Sequence, residues 1–452
     1  MRFLRLGPAG MRGPVAVALT PRLAQDFSSA LATWSDGGRI VVGCDTRISS
    51  EMLRRAALSA LVGGGCEALD AGVISAPELH FLVPRLNAAG GLLIGAGHHP
   101  KGWNALAPLG PDGAFFTGEP LQELLDIYHS RRFDQRAWNR IGAVRPVPEA
   151  ERRAYLDALS ARLDIAAIAG RRFTVIADFC NGSGSRLADA LAERWGVRLT
   201  AINRELTGIL PHDPEPRPRS AVQVQSLLRP LGADIGLVFN SDMSRAAIVT
   251  SRGETLSEEY TVALVADQLL ARRPGQRVVT NWCTTRTLDE VAARHGAVVE
   301  KTRVGEAFIV ARLRETGAEL AGDGSGGAAF GGHLPGYDNF MVLGVLLEAM
   351  ARGGATSAEL AERLPRYHIV KKSVALSSAQ AYPLLRRLAE DFPDARASEE
   401  DGLRLDWPDG WMHVRASMTE PIVRMIVEWS TREGAEERAL QLRGRLERRL
   451  AS

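Results

Sequence analysis

The sequence predicts an α/β protein, with three consecutive α/β mixed-sheet domains followed by a C-terminal α+β domain. Three observations predict it. Short apolar strands alternate with helices through most of the chain; a strand, turn and helix order recurs in three successive stretches; and after Pro365 the rhythm changes to a helix, several strands and a charged helix.

The first stretch opens with a helix from residue 20, where Thr20 can cap, Pro21 suits the first turn, and Leu23, Phe27 and Leu31 recur at a four-residue spacing. Residues 39–44 read as a β-branched strand, 52–62 as a helix closed by Gly63-Gly64-Gly65, and 91–95 as another apolar strand, an order that implies a mainly parallel sheet with covering helices. The second stretch has a strand at 172–180, a glycine-rich turn at 181–185, a helix at 186–194 and a strand at 234–239. The third runs helix 258–272, strand 277–281, helix 287–295, strand 297–302 and a strand ending at Ala321. The last block has a helix at 378–391, strands at 402–405, 412–416 and 423–429, and a charged helix from residue 435. Turn residues and charges cluster at 145–151, 251–253 and 364–368, which places the boundaries there.

At 452 residues the chain has room for about three domains on the usual prior of roughly 150 residues each, with two or four equally admissible. Apolar residues make up 45% and charged residues 24%, which excludes disordered and collagen-like classes. Lys+Arg 55 against Asp+Glu 53 leaves +2, too small a surplus to attract nucleic acid or anionic lipid. Cys44, Cys66, Cys180 and Cys283 have no C-x-x-C spacing, so they read as reduced, buried thiols rather than a zinc ribbon or a disulfide framework. Residues 1–14 lack an apolar leader core, and no run of ~18 apolar residues could span a bilayer. The expected compartment is the cytoplasm.

Chemistry concentrates in four loops that follow apolar strands, where open α/β sheets gather their ligands. They are Gly95-Ala96-Gly97-His98-His99-Pro100, Asn240-Ser241-Asp242-Met243-Ser244-Arg245, Gly322-Asp323-Gly324-Ser325-Gly326-Gly327, and the stretch from Arg415 to Arg424. In the last, Arg415, Ser417, Thr419 and Arg424 offer forked and hydroxyl donors suited to the tetrahedral oxygens of a phosphate, against the plainer reading that Glu420 and Arg424 pair across an exposed turn. Asp323 and Ser325 could accept from and donate to sugar hydroxyls, or simply close a flexible turn.

Taken in order, these loops resemble the α-D-phosphohexomutase superfamily of phosphoglucomutases, phosphomannomutases and phosphoglucosamine mutases. Leu6-Gly7-Pro8-Ala9-Gly10-Met11-Arg12-Gly13 is similar to the family's F-G-T-x-G-x-R-G, and Gly43-Cys44-Asp45-Thr46-Arg47-Ile48-Ser49-Ser50 to its G-R-D-T-R-x-S-S. Leu210-Pro211-His212-Asp213-Pro214 looks like a shortened F-P-x-H-x-P, and residues 415–424 match R-x-S-x-T-E-P-x-x-R. The resemblance implies a four-domain, heart-shaped molecule around a central cleft, with domains at 1–148, 149–252, 253–366 and 367–452. In working members it also implies a phosphorylated serine in the first loop, magnesium on three aspartates of the second, a sugar-reading third loop and a phosphate-gripping fourth, with turnover through a bisphosphate intermediate.

The sequence departs from that pattern where the family's chemistry lies. Gly97 stands at the serine position and has no oxygen to carry a phosphoryl group, so the covalent route is closed. His98 matches the family histidine and is the one candidate replacement nucleophile, beside His99 in place of an asparagine. Asn240 and Ser244 replace two aspartates and leave Asp242 as the single carboxylate, so magnesium binding is expected to be weak or absent. Ala105 and Ala107 replace a glycine and a lysine. By contrast Arg12, Arg47 and Arg245 keep the matching arginines, Asp323 is one methylene shorter than the family glutamate, Ser325 is kept, and the phosphate loop differs mainly at Met418. The resulting expectation is a protein that binds a hexose phosphate or bisphosphate in its cleft without the ordinary phosphoserine mechanism. The alternatives are a divergent working mutase and a regulatory or scaffolding partner of one.

Overall fold

The computed structural model of the chain describes residues 4–8, 10–376, 378–417 and 422–451. It contains four sheets in chain order. In the first, Ile40–Cys44 lies between Glu67–Val73 and Gly90–Ile94, both parallel to it; Trp103–Leu109 then runs antiparallel to Gly90–Ile94, and the hairpin Arg5–Gly7 and Gly10–Pro14 extends that edge. Ala143–Pro146 closes the opposite edge. The pleat sends Ile40, Val42 and Cys44 to one face, beneath Pro21–Trp34, Ile48–Gly63 and Gly118–Ser130, and Val41 to the other, beneath Ala76–Arg85. The helix Pro21–Trp34 begins as expected, with the Thr20 hydroxyl accepting from the Leu23 amide and proline in the first turn.

The second and third sheets repeat one topology. Thr174–Asp178 pairs in parallel with Arg198–Ile202 and Ile235–Phe239, and the last forms a hairpin with Ala246–Thr250. Likewise Arg277–Asn281 pairs in parallel with Val298–Thr302 and Leu320–Asp323, which turns back as Gly327–Phe330. The three sheets are mixed, as the sequence predicts; in the first, three pairings are antiparallel and three parallel, so that sheet is less parallel than its strand and helix order suggested. Asn339–Gly353, apolar on nearly every face, packs into the largest core together with Tyr260–Arg272. The fourth unit is a five-stranded antiparallel sheet, with Ile422–Trp429 between His368–Ala375 and Gly410–Ala416, backed by Ser378–Ala389 and Arg432–Ala451.

The four loops singled out in the sequence share one position in this scheme, because each joins two antiparallel neighbours: 95–102, 240–245, 324–326 and 417–421. All four cysteines are unpaired, and three of them are buried. No helix among the described residues is long and apolar enough to cross a membrane.

Candidate functional site

A cavity of about 310 Å³ lies where the four units meet. The first unit contributes Arg5, Arg12, Gly97, His98 and His99, the second Asp242, Ser244 and Arg245, the third Val304 to Phe308, and the fourth Arg415, Ser417 and Arg424. Five arginines face two carboxylates, so the cavity suits a polyanion small enough to be enclosed.

The floor of the first loop is built on a buried ion pair. Asp45 accepts from the Arg47 amide at 3.0 Å, the Ser50 hydroxyl at 2.5 Å and the Ala96 amide at 3.2 Å, and its other contact is Arg47 Nε at 3.1 Å. Burial pushes the Asp45 carboxyl above its usual range, and Arg47 opposes that shift. The two terminal nitrogens of Arg47 donate to the carbonyls of Gly97, His99, Pro100 and Trp103. Every N–H of this guanidinium is therefore spent on protein acceptors. Arg47, expected to contact substrate, instead holds the loop in shape and does not reach the cavity wall.

Gly97 adopts φ +48°, a left-handed conformation that glycine takes without steric penalty. Its carbonyl accepts from Ser241 Oγ at 3.0 Å as well as from Arg47, and the Ala76 amide donates to the Asp242 carbonyl at 3.0 Å, so the first and second loops are tied together. A Cβ built on Gly97 would stand 2.5 Å from Asp242 Oδ2 and 3.4 Å from Asn240 Nδ2. The carboxylate of the second loop thus occupies the space that a side chain on residue 97 would need.

His98 and His99 both line the cavity, with ring centroids 4.4 Å apart. Burial first, and then Arg245, His99, Arg12 and Arg47, hold the His98 imidazole well below its ordinary range; burial and Arg12 bring His99 down to about 3. Both rings are neutral at physiological pH, and His99 Nδ1 lies 3.0 Å from the Ala96 carbonyl.

The second loop does not suit a divalent cation. Asn240 Oδ1 accepts from the Arg245 amide, Asn240 Nδ2 donates to Ser244 Oγ at 3.0 Å, and Ser244 donates to Asp242 Oδ1 through both its hydroxyl at 2.6 Å and its amide at 3.0 Å. The three positions form a hydrogen-bond chain ending on one carboxylate, and a hard cation needs more anionic oxygen than that. Among the described residues no cluster of three or more His, Cys, Asp or Glu side chains could hold a metal ion.

The third unit reaches the cavity through a different segment from the one expected. Asp323 accepts from Asn281 Nδ2 at 3.1 Å and from the Ser325 amide at 3.0 Å, and Ser325 Oγ also donates to it. Asp323 and Ser325 therefore satisfy each other, and neither is on the cavity wall. In their place stands Glu306, at the start of Glu306–Thr316, where it accepts from the Tyr337 amide at 3.0 Å. Burial pushes its carboxyl up to about 8; the Tyr337 amide opposes, Asp242 adds to the rise, and Arg245 opposes. The sequence carried a signal for Glu306, since it follows a strand end and a Val-Gly pair, but an acid in the first turn of a helix has an ordinary reading as a dipole partner. Arg5, the other residue missed, lies with its guanidinium 4.5 Å from the Trp103 ring centroid.

In the fourth unit Arg415 and Arg424 are direct cross-strand partners, flanking the turn that carries Ser417. Like charges so placed repel, and Asp401 Oδ2 is 4.0 Å from Arg415 Nε. Met418, Thr419, Glu420 and Pro421 lie outside the described residues. The fourth unit is latched to the third by the Val304 amide donating to Asp401 Oδ2 at 2.9 Å, by Lys371 against Glu259 at 2.5 Å, and by Cys283 Sγ with His413 Nδ1 at 3.1 Å.

Comparison with known proteins agrees with this architecture. Residues 4–135, 153–253 and 257–367 match in turn the phosphoglucomutase/phosphomannomutase α/β/α domains I, II and III. A phosphoglucomutase/phosphomannomutase of Thermococcus kodakarensis is 32% identical over 439 residues, covering 95% of this chain and 96% of the relative. The crystal structure of a phosphoglucomutase/phosphomannomutase family protein from Burkholderia thailandensis superposes with a TM-score of 0.85 at 25% identity, covering 98% and 96% of the two chains. A serine-to-alanine form of the N-acetylphosphoglucosamine mutase of Aspergillus fumigatus, solved with glucose 1,6-bisphosphate, shares the fold at a TM-score of 0.60 and 12% identity, covering 98% and 95%. Four units around one arginine-rich cavity, three successive domain matches and a relative aligned nearly end to end converge: the chain belongs to the phosphoglucomutase/phosphomannomutase family of the α-D-phosphohexomutase superfamily.

Proposed function

We propose that the protein binds a hexose phosphate or bisphosphate in this cavity and does so without the ordinary phosphoserine-dependent mutase reaction. The observation that carries the reading is the Arg415 and Arg424 pair: two cations held opposite one another across a hairpin, beside a hydroxyl, on the wall of the cavity. An anion with tetrahedral oxygens relieves their repulsion and takes forked donors from both. At the other end Arg12 and Arg245 face the cavity next to Gly97, which itself has no side chain to carry a phosphoryl group. A serine-to-alanine form of the Aspergillus fumigatus N-acetylphosphoglucosamine mutase was solved with glucose 1,6-bisphosphate, which supports a cleft of this fold taking such a ligand.

Thermal unfolding in the presence of hexose and hexosamine mono- and bisphosphates tests the reading. A ligand at ~100 times its dissociation constant that binds only the native state raises stability by about 2.7 kcal/mol. A shift with at least one of these ligands, together with no interconversion of glucose or mannose 1- and 6-phosphates, is the expected result. Brisk interconversion by protein freed of host mutase, or no shift with any of them, would overturn it.

A further inference from the structure

Residue 97 is empty, but its space is not. Asp242 Oδ2 lies 2.5 Å from the position a Cβ on Gly97 would take, so an oxygen of the second loop stands where the first loop's side chain would begin. This carboxylate is held in one orientation. Oδ1 is clamped by the Ser244 amide and hydroxyl, with Asn240 supporting that hydroxyl, which fixes the carboxylate plane. Among the described residues no donor pairs with Oδ2, and none accepts from the Arg245 guanidinium, although both line the cavity. The replacements of the second loop thus aim one carboxylate rather than gather three.

We propose that Asp242 is the phosphoryl acceptor of this cleft, its Oδ2 taking the phosphoryl group from the end of a hexose bisphosphate that lies over Arg12 and Arg245 while Arg415 and Arg424 grip the other phosphate. The inference rests on the reading of the cavity as a phosphosugar site. Oδ2 forms a bond to phosphorus and the bond from phosphorus to the sugar oxygen breaks, leaving hexose monophosphate and an aspartyl phosphate. The departing oxygen takes a proton from Glu306, on the same cavity wall, whose carboxyl stays protonated at neutral pH. Water then attacks the acyl phosphate, releases inorganic phosphate and regenerates the Asp242 carboxylate, and the proton set free returns to Glu306. Net, a hexose bisphosphate and water give a hexose monophosphate and phosphate. The arginines neutralise the charge that gathers on the transferring oxygens, the task a dication would otherwise serve.

The test uses the full chain with glucose 1,6-bisphosphate and mannose 1,6-bisphosphate. The melting temperature is followed in one arm, and intact mass after a rapid quench in the other. The expected result is a thermal shift with one of the two, and with that sugar one added phosphoryl group that is discharged by neutral hydroxylamine. Borohydride reduction of the labelled protein should leave homoserine at position 242 on peptide mapping, a readout that does not depend on any variant folding. Asp242→Asn should carry no label. A thermal shift without any label, or a label mapped to His98, His99 or Ser417, would overturn the inference and leave the cleft reading intact; neither shift nor label would overturn both.

Discussion

Placing a serine at Gly97 puts a hydroxyl into the first loop, and the structure says what that costs. A non-glycine residue at φ +48° costs roughly 1–2 kcal/mol in backbone strain. Its Cβ also meets Asp242 Oδ2 at 2.5 Å, closer than atoms tolerate, so the carboxylate must turn and give up one of its two hydrogen bonds from Ser244. Hydrogen bonds to a charged group contribute about 1.5–3 kcal/mol each, so losing one brings the total to roughly 2.5–5 kcal/mol. Urea unfolding read by tryptophan fluorescence, at unchanged m-value, measures the loss. In Gly97→Ser combined with Asp242→Ala the steric part should disappear, leaving Gly97→Ser about 1–2 kcal/mol in that background, as the backbone strain alone requires. Gly97→Ser with parental stability, additive behaviour in the cycle, or mutase turnover by the single variant would refute the reasoning.

Three further outcomes follow from the same geometry. Arg47→Ala strands the buried Asp45 carboxylate and unties four carbonyls of the first loop, so it should destabilise by about 3–5 kcal/mol, and Arg47→Lys should recover only part of that in urea titrations because one ammonium cannot reach four carbonyls. Arg424→Ala should abolish the thermal shift that hexose phosphates give with the parent, since one fork of the phosphate grip is removed; an undiminished shift would dismiss that role. Glu306 has a folded pKa of about 8 against an ordinary 4.5, so the native state binds the extra proton between those values and the parent loses stability as pH rises through that window. Glu306→Gln should lack this slope, gaining on the parent from pH 4.5 to about 8 in thermal unfolding followed across pH; parallel pH profiles would dismiss the assignment.

Much of the fold was legible because its strands are short apolar runs between turn residues. Arg277–Asn281 falls on its predicted span, and Ile40–Cys44 and Ile235–Phe239 start one residue inside theirs. The helix Asn339–Gly353 carries no polar stripe and so gave no periodic signal, and the edge strand Ala143–Pro146 is too short and exposed to announce itself. At the site, Arg12, Arg245, Arg415, Ser417 and Arg424 were found by motif and do face the cavity. Arg47, Asp323 and Ser325 carry equally good motifs but are turned inward by partners that only the folded chain supplies: the carbonyls of a loop fifty residues on for Arg47, and Asn281 for Asp323. The filling of the Gly97 vacancy by Asp242 was out of reach of any one-dimensional reading, because the two residues come together only through sheets that pair independently.

Each of the four loops hangs from two antiparallel strands whose ladders are complete without it. Such a loop can exchange its reactive groups without breaking a strand pairing, so the cost of a change falls on the contacts between loops and not on the sheets. The integrity of the four sheets therefore says little about which chemistry the cleft between them performs.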